Sequence, residues 1–194
     1  MVSALARAPL HVDALRELCN ICGGRAADAL SRLLGERPVE LDLAEAEVPH
    51  REVTSRLGGS QAPVAAARVE LHGPIRGELW LVLAERDAVV LSGMLDSHAD
   101  LKLAPSALYE AANIVASACL NALYSLTRLT VVPSVPELLS GTVADVVGRL
   151  GRAAGNGPVL TTELVLRDAP VRGRLLFVPH EASVEPLLGA MGVH

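Results

Sequence analysis

The chain has 194 residues, and 51% of them are apolar, which is enough for one domain with a substantial core. Its 17 basic and 22 acidic residues give a net charge of −5, which argues against a nucleic-acid backbone as the main partner. No stretch reaches the roughly 20 unbroken apolar residues of a membrane span, so membrane insertion is not expected. Three cysteines without a secretory signal favour a reducing, cytoplasmic location.

The spacing of apolar and turn-forming residues predicts the same series of elements in each half of the chain. In the first half we expect a helix over about 12–34, a strand over about 39–48, a Gly-rich loop around "SRLGGSQAP", a hairpin over about 64–83 and a helix over about 87–96. In the second half we expect a helix over about 106–126, a strand over about 129–132, a short helix near 136–150, a loop at "GRAAGNGP", a hairpin over about 159–177 and a last helix from about 182.

The two halves also resemble each other in sequence. At an offset of 96 (170 − 74), Pro74, Arg76 and Gly77 align with Pro170, Arg172 and Gly173. At an offset of 93 (113 − 20), "DALRELCN" aligns with "SALYEAAN". We therefore predict a single domain over 1–194 that is built of two repeats, over about 12–97 and about 105–194. The fold class is α/β of the α+β type: duplicated helix–strands–helix halves with pseudo-twofold symmetry, and two long helices packed on a largely antiparallel sheet.

Each long helix has one apolar and one polar face at about 100° per residue. The apolar faces hold Leu15, Leu18, Cys19, Cys22, Ala26, Ala29, Leu30 and Leu33 in the first helix, and Leu108, Ala111, Ala112, Val115, Cys119, Ala122, Leu123 and Leu126 in the second. The C-x2-C spacing of Cys19 and Cys22 is also that of a redox pair or half a metal site. Because further ligands at metal spacing are missing, we expect reduced, buried core cysteines.

The polar faces share a Glu-x2-Asn motif. It comprises Glu17 and Asn20 in the first helix, preceded by Asp13, and Glu110 and Asn113 in the second, preceded by Ser106. One reading is a solvated face inherited by both repeats, with Asp13 and Ser106 as helix caps or first-turn residues. The other is assistance to hydrolysis on another protein, because a carboxylate pairs with an ammonium group and a carboxamide can orient a water.

This motif resembles that of the CheC/CheX/FliY phosphatases of bacterial and archaeal chemotaxis, Asp/Ser-x3-Glu-x2-Asn followed after 22 residues by Pro. The second copy matches it completely with Ser106, Glu110, Asn113 and Pro136, whereas the first copy has Asp13, Glu17 and Asn20 but Leu43 at the proline position. Two motif copies on one chain are most like the CheC branch. "CNICGGRA" is similar to the family's glycine-rich continuation, with Cys19 and Cys22 in place of small residues.

The resemblance implies a phosphorylated CheY-type response regulator as substrate. Asn20 and Asn113 would position the attacking water, and Glu17 and Glu110 would pair with a lysine of the regulator. Mg²⁺ would belong to the regulator, so no cofactor is expected in this chain, and CheD is a further partner of some members. Two alternatives stay open: a non-catalytic module that binds a regulator or CheD, and a thiol sensor that uses Cys19 and Cys22.

Overall fold

Two long helices lie side by side on an antiparallel sheet. The computed structural model describes residues 9–42, 50–95, 104–155 and 157–193. The helices are α1 (Pro9–Leu33), α2 (His50–Arg56), α3 (Glu85–Leu95), α4 (Ala104–Thr127), α5 (Val143–Ala154) and α6 (Glu181–Ala190). The strands are β1 (Val39–Leu41), β2 (Pro63–His72), β3 (Gly77–Ala84), β4 (Val132–Pro133), β5 (Glu137–Thr142), β6 (Leu160–Leu166) and β7 (Arg172–Pro179).

The sheet has the order β1-β6-β7-β3-β2-β4, with β5 paired beside β4 on the same side of β2, and every pairing is antiparallel. In its centre β3 pairs with β7, and Trp80 lies opposite Leu176. These two residues are 96 positions apart (176 − 80), which is the offset of the repeat. When a residue pairs with the equivalent residue of the other repeat, the twofold axis passes between the two. The pairing therefore confirms the pseudo-twofold symmetry that the sequence predicted.

Both faces of the sheet are covered. Leu79, Leu81 and Leu175 belong to a core cluster with apolar side chains of α1 and α4, including Leu15 and Leu108. On the opposite face, Trp80 and Leu176 pack in a second cluster with α5 residues such as Leu150. Since alternate strand residues point to opposite faces, the nearly continuous apolar run of β3 is what a sheet covered on both sides requires.

The repeated Pro-x-Arg-Gly turn has a steric reason at Gly77. A Cβ atom at this position would lie 2.5 Å from the carbonyl oxygen of Val178 and 2.8 Å from Cα of Pro179. A side chain there would push the central strands β3 and β7 apart, so glycine is needed for their close approach.

The segment after Pro136 corrects one prediction. We expected a helix near 136–150, but Glu137–Thr142 forms β5 against β2, and α5 begins only at Val143. The start of α5 is fixed by a capping box, in which the Asp145 N–H donates to Oγ1 of Thr142 (3.3 Å) and the Thr142 N–H donates to Oδ2 of Asp145 (2.9 Å). The strand forms because β2 offers an unpaired edge.

Three other boundaries differ from expectation. The strand expected over 39–48 is described only as Val39–Leu41, and the rest of it lies largely outside the described residues. The strand expected over 129–132 is the two-residue β4. The loop around "SRLGGSQAP" begins with the end of the unpredicted helix α2, and its turn uses Gly58 and Gly59 at φ of 99° and 98°.

Candidate functional site

The polar motif residues lie on the outer side of the helix layer. Glu17, Glu110 and Asn113 are exposed, and Asn20 is half-buried. In each motif the glutamate and the asparagine are three residues apart, so their side chains project from neighbouring turns of the same helix face. The helical periodicity therefore predicted the orientation of all four side chains.

The residues that precede each motif differ in position. Ser106 is exposed in the first turn of α4, which begins at Ala104, as the sequence suggested. Asp13 lies in the second turn of α1, which begins at Pro9, so it is neither the cap nor a first-turn residue. Its carboxylate instead forms an exposed ion pair with Arg16 over 3.5 Å. The interpretation of Asp13 as a cap or first-turn residue was wrong, because α1 begins nearer the N-terminus than the spacing of its apolar residues indicated.

Pro136 is buried and immediately precedes β5. This strand pairs with β2, and α4 packs on both β2 and β5. A fixed φ and the lack of an N–H at this position restrict the path of the chain under the helix. The corresponding position in the first repeat, Leu43, lies outside the described residues.

The cysteines pack between the long helices and the sheet. Cys19 and Cys119 are buried as predicted, whereas Cys22 is only half-buried, which corrects that expectation. Burial raises the pKa of the Cys19 and Cys22 thiols to about 12 and also raises that of Cys119. At neutral pH all three are therefore thiols, which are poor nucleophiles and poor metal ligands. This protonation state disfavours the thiol-sensor alternative.

Within the described ranges, no group of three or more His, Cys, Asp or Glu side chains is arranged to hold a metal ion. The same part of the chain has no helix that combines the length and the apolar character of a membrane span.

Two apolar-face assignments need correction. Leu126 was expected in the core but is 37% exposed, and it lines a groove between α1 and α4. Ala29 was also assigned to the core, but it is half-buried and lines the same groove. The 100° periodicity fixes direction around a helix axis. It does not indicate where two helices diverge and leave a gap, and here the gap exposes both residues.

This groove between α1 and α4 has a volume of about 890 Å³ and runs beside Asn113. Its walls include two exposed arginines of α1, Arg25 and Arg32, together with Ile21 and Ile114. Sequence reasoning did not single out the arginines. Aligning the two helices at the offset of 93 would have revealed that their counterparts, Ala118 and Ser125, are uncharged.

Sequence comparison adds one relative. The chain is 26% identical to the CheY-P phosphatase CheC of Bacillus subtilis (strain 168), and the alignment covers 94% of both proteins. No family model matches the chain.

Three solved structures share the fold. FliY of Thermotoga maritima has a TM-score of 0.73 at 20% identity, with 95% of this chain and 97% of that chain covered. The FliM middle domain of H. pylori has a TM-score of 0.68 at 12% identity, with coverage of 95% and 99%. A chain of the CheX–CheY–BeF3–Mg²⁺ complex from Borrelia burgdorferi has a TM-score of 0.59 at 14% identity, with coverage of 84% and 97%.

The full-length similarity to CheC, the shared fold and the duplicated helix motif agree with one another. The chain is therefore similar in sequence to CheC and in fold to FliY and CheX, in agreement with the resemblance of its helix motif to the CheC/CheX/FliY proteins.

Proposed function

We propose that this chain, acting as one domain of two repeats, accelerates the hydrolysis of the phospho-aspartate of a CheY-type response regulator. The observation that carries the proposal is the placement of Glu110 and Asn113 on adjacent turns of one exposed helix face, with a second pair, Glu17 and Asn20, on the symmetry-related helix. The similarity to a protein named CheY-P phosphatase supports the same activity.

The chemistry needs positioning more than a nucleophile. In the proposed reaction a water attacks the phosphorus in line with the bond to the aspartyl oxygen, and that bond breaks to give inorganic phosphate and a free carboxylate. The Asn113 carboxamide can accept a hydrogen bond from this water and donate one to a phosphoryl oxygen, which holds the water on the attack line. Asn20 would act in the same way at the other site.

Glu110 and Glu17 would hold the partner in register. A carboxylate one helical turn from the asparagine can form an ion pair with an ammonium group of the regulator, and we propose that this group is a lysine beside the phosphoryl site. Mg²⁺, which neutralises charge during phosphoryl transfer, would be supplied by the regulator. The Borrelia burgdorferi CheX complex contains CheY, BeF3 and Mg²⁺, which supports a regulator as the partner.

A non-catalytic module is the second candidate. The same fold occurs in the FliM middle domain, and a shared fold does not by itself fix an activity. Such a module would bind a regulator, or CheD, through the same helix face without changing the lifetime of the acyl phosphate.

The decisive experiment is a time course of phospho-regulator decay with and without the purified chain, combined with a binding measurement. Faster decay with sub-stoichiometric protein supports phosphatase activity. Binding with an unchanged decay rate would instead assign the non-catalytic module.

A further inference from the structure

The charges along the groove between α1 and α4 do not follow the symmetry that relates the two motifs. Along α1, Arg25 and Arg32 face the groove in which Asn113 lies. At the repeat offset of 93, their counterparts on α4 are Ala118 and Ser125, and the counterpart of Asn113 is Asn20. The helix packed against Asn113 therefore contributes two cations at places where the helix packed against Asn20 contributes a methyl and a hydroxyl group.

The two arginines are available to a partner. Both are exposed, and neither forms a salt bridge with any residue in the described part of the chain. They are seven residues apart, roughly two helical turns or 10 Å, so they lie along one side of the groove. Asp28 is exposed on the same helix but does not line the groove or pair with either arginine. The groove wall beside Asn113 is therefore cationic.

We propose that Arg25 and Arg32 are specificity-determining residues that direct an anionic, phosphorylated partner to Asn113 in preference to Asn20. The inference rests on the proposed function and adds a reason why the two sites are unequal. It names the partner by its chemistry: a protein surface that carries an acyl phosphate.

Charge complementarity is the physical argument for this occupant. A protein-bound phosphoryl group carries roughly 1.5–2 negative charges at pH 7. Because the chain as a whole has a net charge of −5, its overall charge does not attract an anionic partner, and a local pair of cations favours approach at the groove. Exposed charges at an interface act mainly on the association rate, and salt weakens that effect. The arginines should therefore lower KM at low ionic strength and leave kcat nearly unchanged.

The test separates the two sites by substitution. Arg25→Gln/Arg32→Gln is made in an Asn20→Ala background, where only the Asn113 site remains, and in an Asn113→Ala background, where only the Asn20 site remains. The control is Arg76→Gln/Arg152→Gln, which removes the same charge from exposed arginines elsewhere on the surface. A further variant, Arg25→Lys/Arg32→Lys, retains the charge. Phospho-regulator decay is followed at about 50 and 300 mM NaCl, which brackets the range where screening becomes strong.

In the Asn20→Ala background we expect the glutamine pair to raise KM by about threefold to tenfold at low salt, with a much smaller change at high salt. The lysine pair should restore most of the loss, and the control pair should have little effect. In the Asn113→Ala background the glutamine pair should change KM by less than about twofold. Equal effects in both backgrounds, or an effect that does not depend on salt, would overturn the proposal.

A binding measurement distinguishes this proposal from the proposed function. The probe is the regulator activated with beryllofluoride, an acyl-phosphate analogue, titrated calorimetrically into the same variants. If no variant accelerates decay, the phosphatase activity is refuted, and a salt-dependent loss of binding with the glutamine pair still supports the role of the arginines. Unchanged binding would refute that role.

Discussion

The indole N–H of Trp80 donates to Oε2 of Glu78 over 2.7 Å within the β3 strand. The other oxygen, Oε1, accepts from Nε of Arg68 at 2.9 Å and also from its Nη2. Glu78 is only 5% exposed, so these two neighbours satisfy a carboxylate that water scarcely reaches. Breaking a buried pair on one side leaves the other charge without compensation, and this is what makes such a site sensitive to mutation.

We therefore predict that Arg68→Ala lowers the free energy of unfolding by about 3 kcal/mol. Arg149→Ala is the matched control, because it removes an arginine whose pair with Glu137 is exposed on both sides and should contribute about 0–1 kcal/mol. Urea denaturation of both variants and the wild type provides the comparison. Equal losses would contradict the distinction between the buried and the exposed pair.

The order of the long elements could be predicted from the sequence because it depends on local periodicity. Helix α4 was expected over about 106–126 and spans Ala104–Thr127. The strand β5 was missed because Glu137–Thr142 is extended only through its pairing with β2, a contact between residues far apart in sequence. The motif residues were found from a repeated pattern on one face. The groove arginines were not found, because their position beside Asn113 depends on how two helices pack.

The cysteine prediction concerns packing. Cys19→Ala/Cys22→Ala should lower the unfolding free energy by about 1–3 kcal/mol, because it removes buried atoms beside Leu71 and Leu175 and enlarges a cavity of about 20 Å³. Phosphatase activity should survive, because the motif lies on the opposite face of the helix. Denaturation curves and decay assays check the two parts. Rapid thiol labelling of the native protein at pH 8, or stoichiometric bound zinc, would contradict this account of the cysteines.

The same thiols predict a loss of stability at alkaline pH. Burial raises the pKa of Cys19 and Cys22 in the folded state from 9.0 to about 12. Below pH 9 both states keep the protons, whereas between about pH 9 and 12 the unfolded state releases them and the folded state does not. Stability therefore falls as pH rises through this window. The urea midpoint should fall more between pH 8 and pH 10 for the wild type than for Cys19→Ala/Cys22→Ala. Identical falls would exclude these thiols as a cause.

Glu110 is predicted to act on binding. Glu110→Ala should raise KM or the dissociation constant for the regulator more than it lowers kcat, because it removes one partner of an intermolecular ion pair. Glu185→Ala, which truncates another exposed helical glutamate, is the control. The measurement is decay kinetics over a series of regulator concentrations. A variant with normal KM and low kcat would show that Glu110 takes part in the chemical step instead.

The two asparagines are predicted to be unequal. Asn113 is exposed beside a cationic groove, and its motif includes the buried Pro136. A displacement of about 1 Å is large for a group that acts by positioning, so a first site without the proline should be weaker. Asn113→Ala should therefore reduce the decay rate more than Asn20→Ala at matched regulator concentration. Equal losses from the two single variants would refute the ranking.

The central claim is that the carboxamides of Asn20 and Asn113 accelerate the dephosphorylation of the regulator. Its most direct test is the phospho-regulator decay rate with Asn20→Ala/Asn113→Ala, compared with wild type and with Gln61→Ala, which truncates an exposed carboxamide in a turn. Circular dichroism establishes that the variants are folded. We expect the double variant to leave decay near the rate of the regulator alone, and Gln61→Ala to act like wild type. Full activity in the folded double variant would contradict the mechanism.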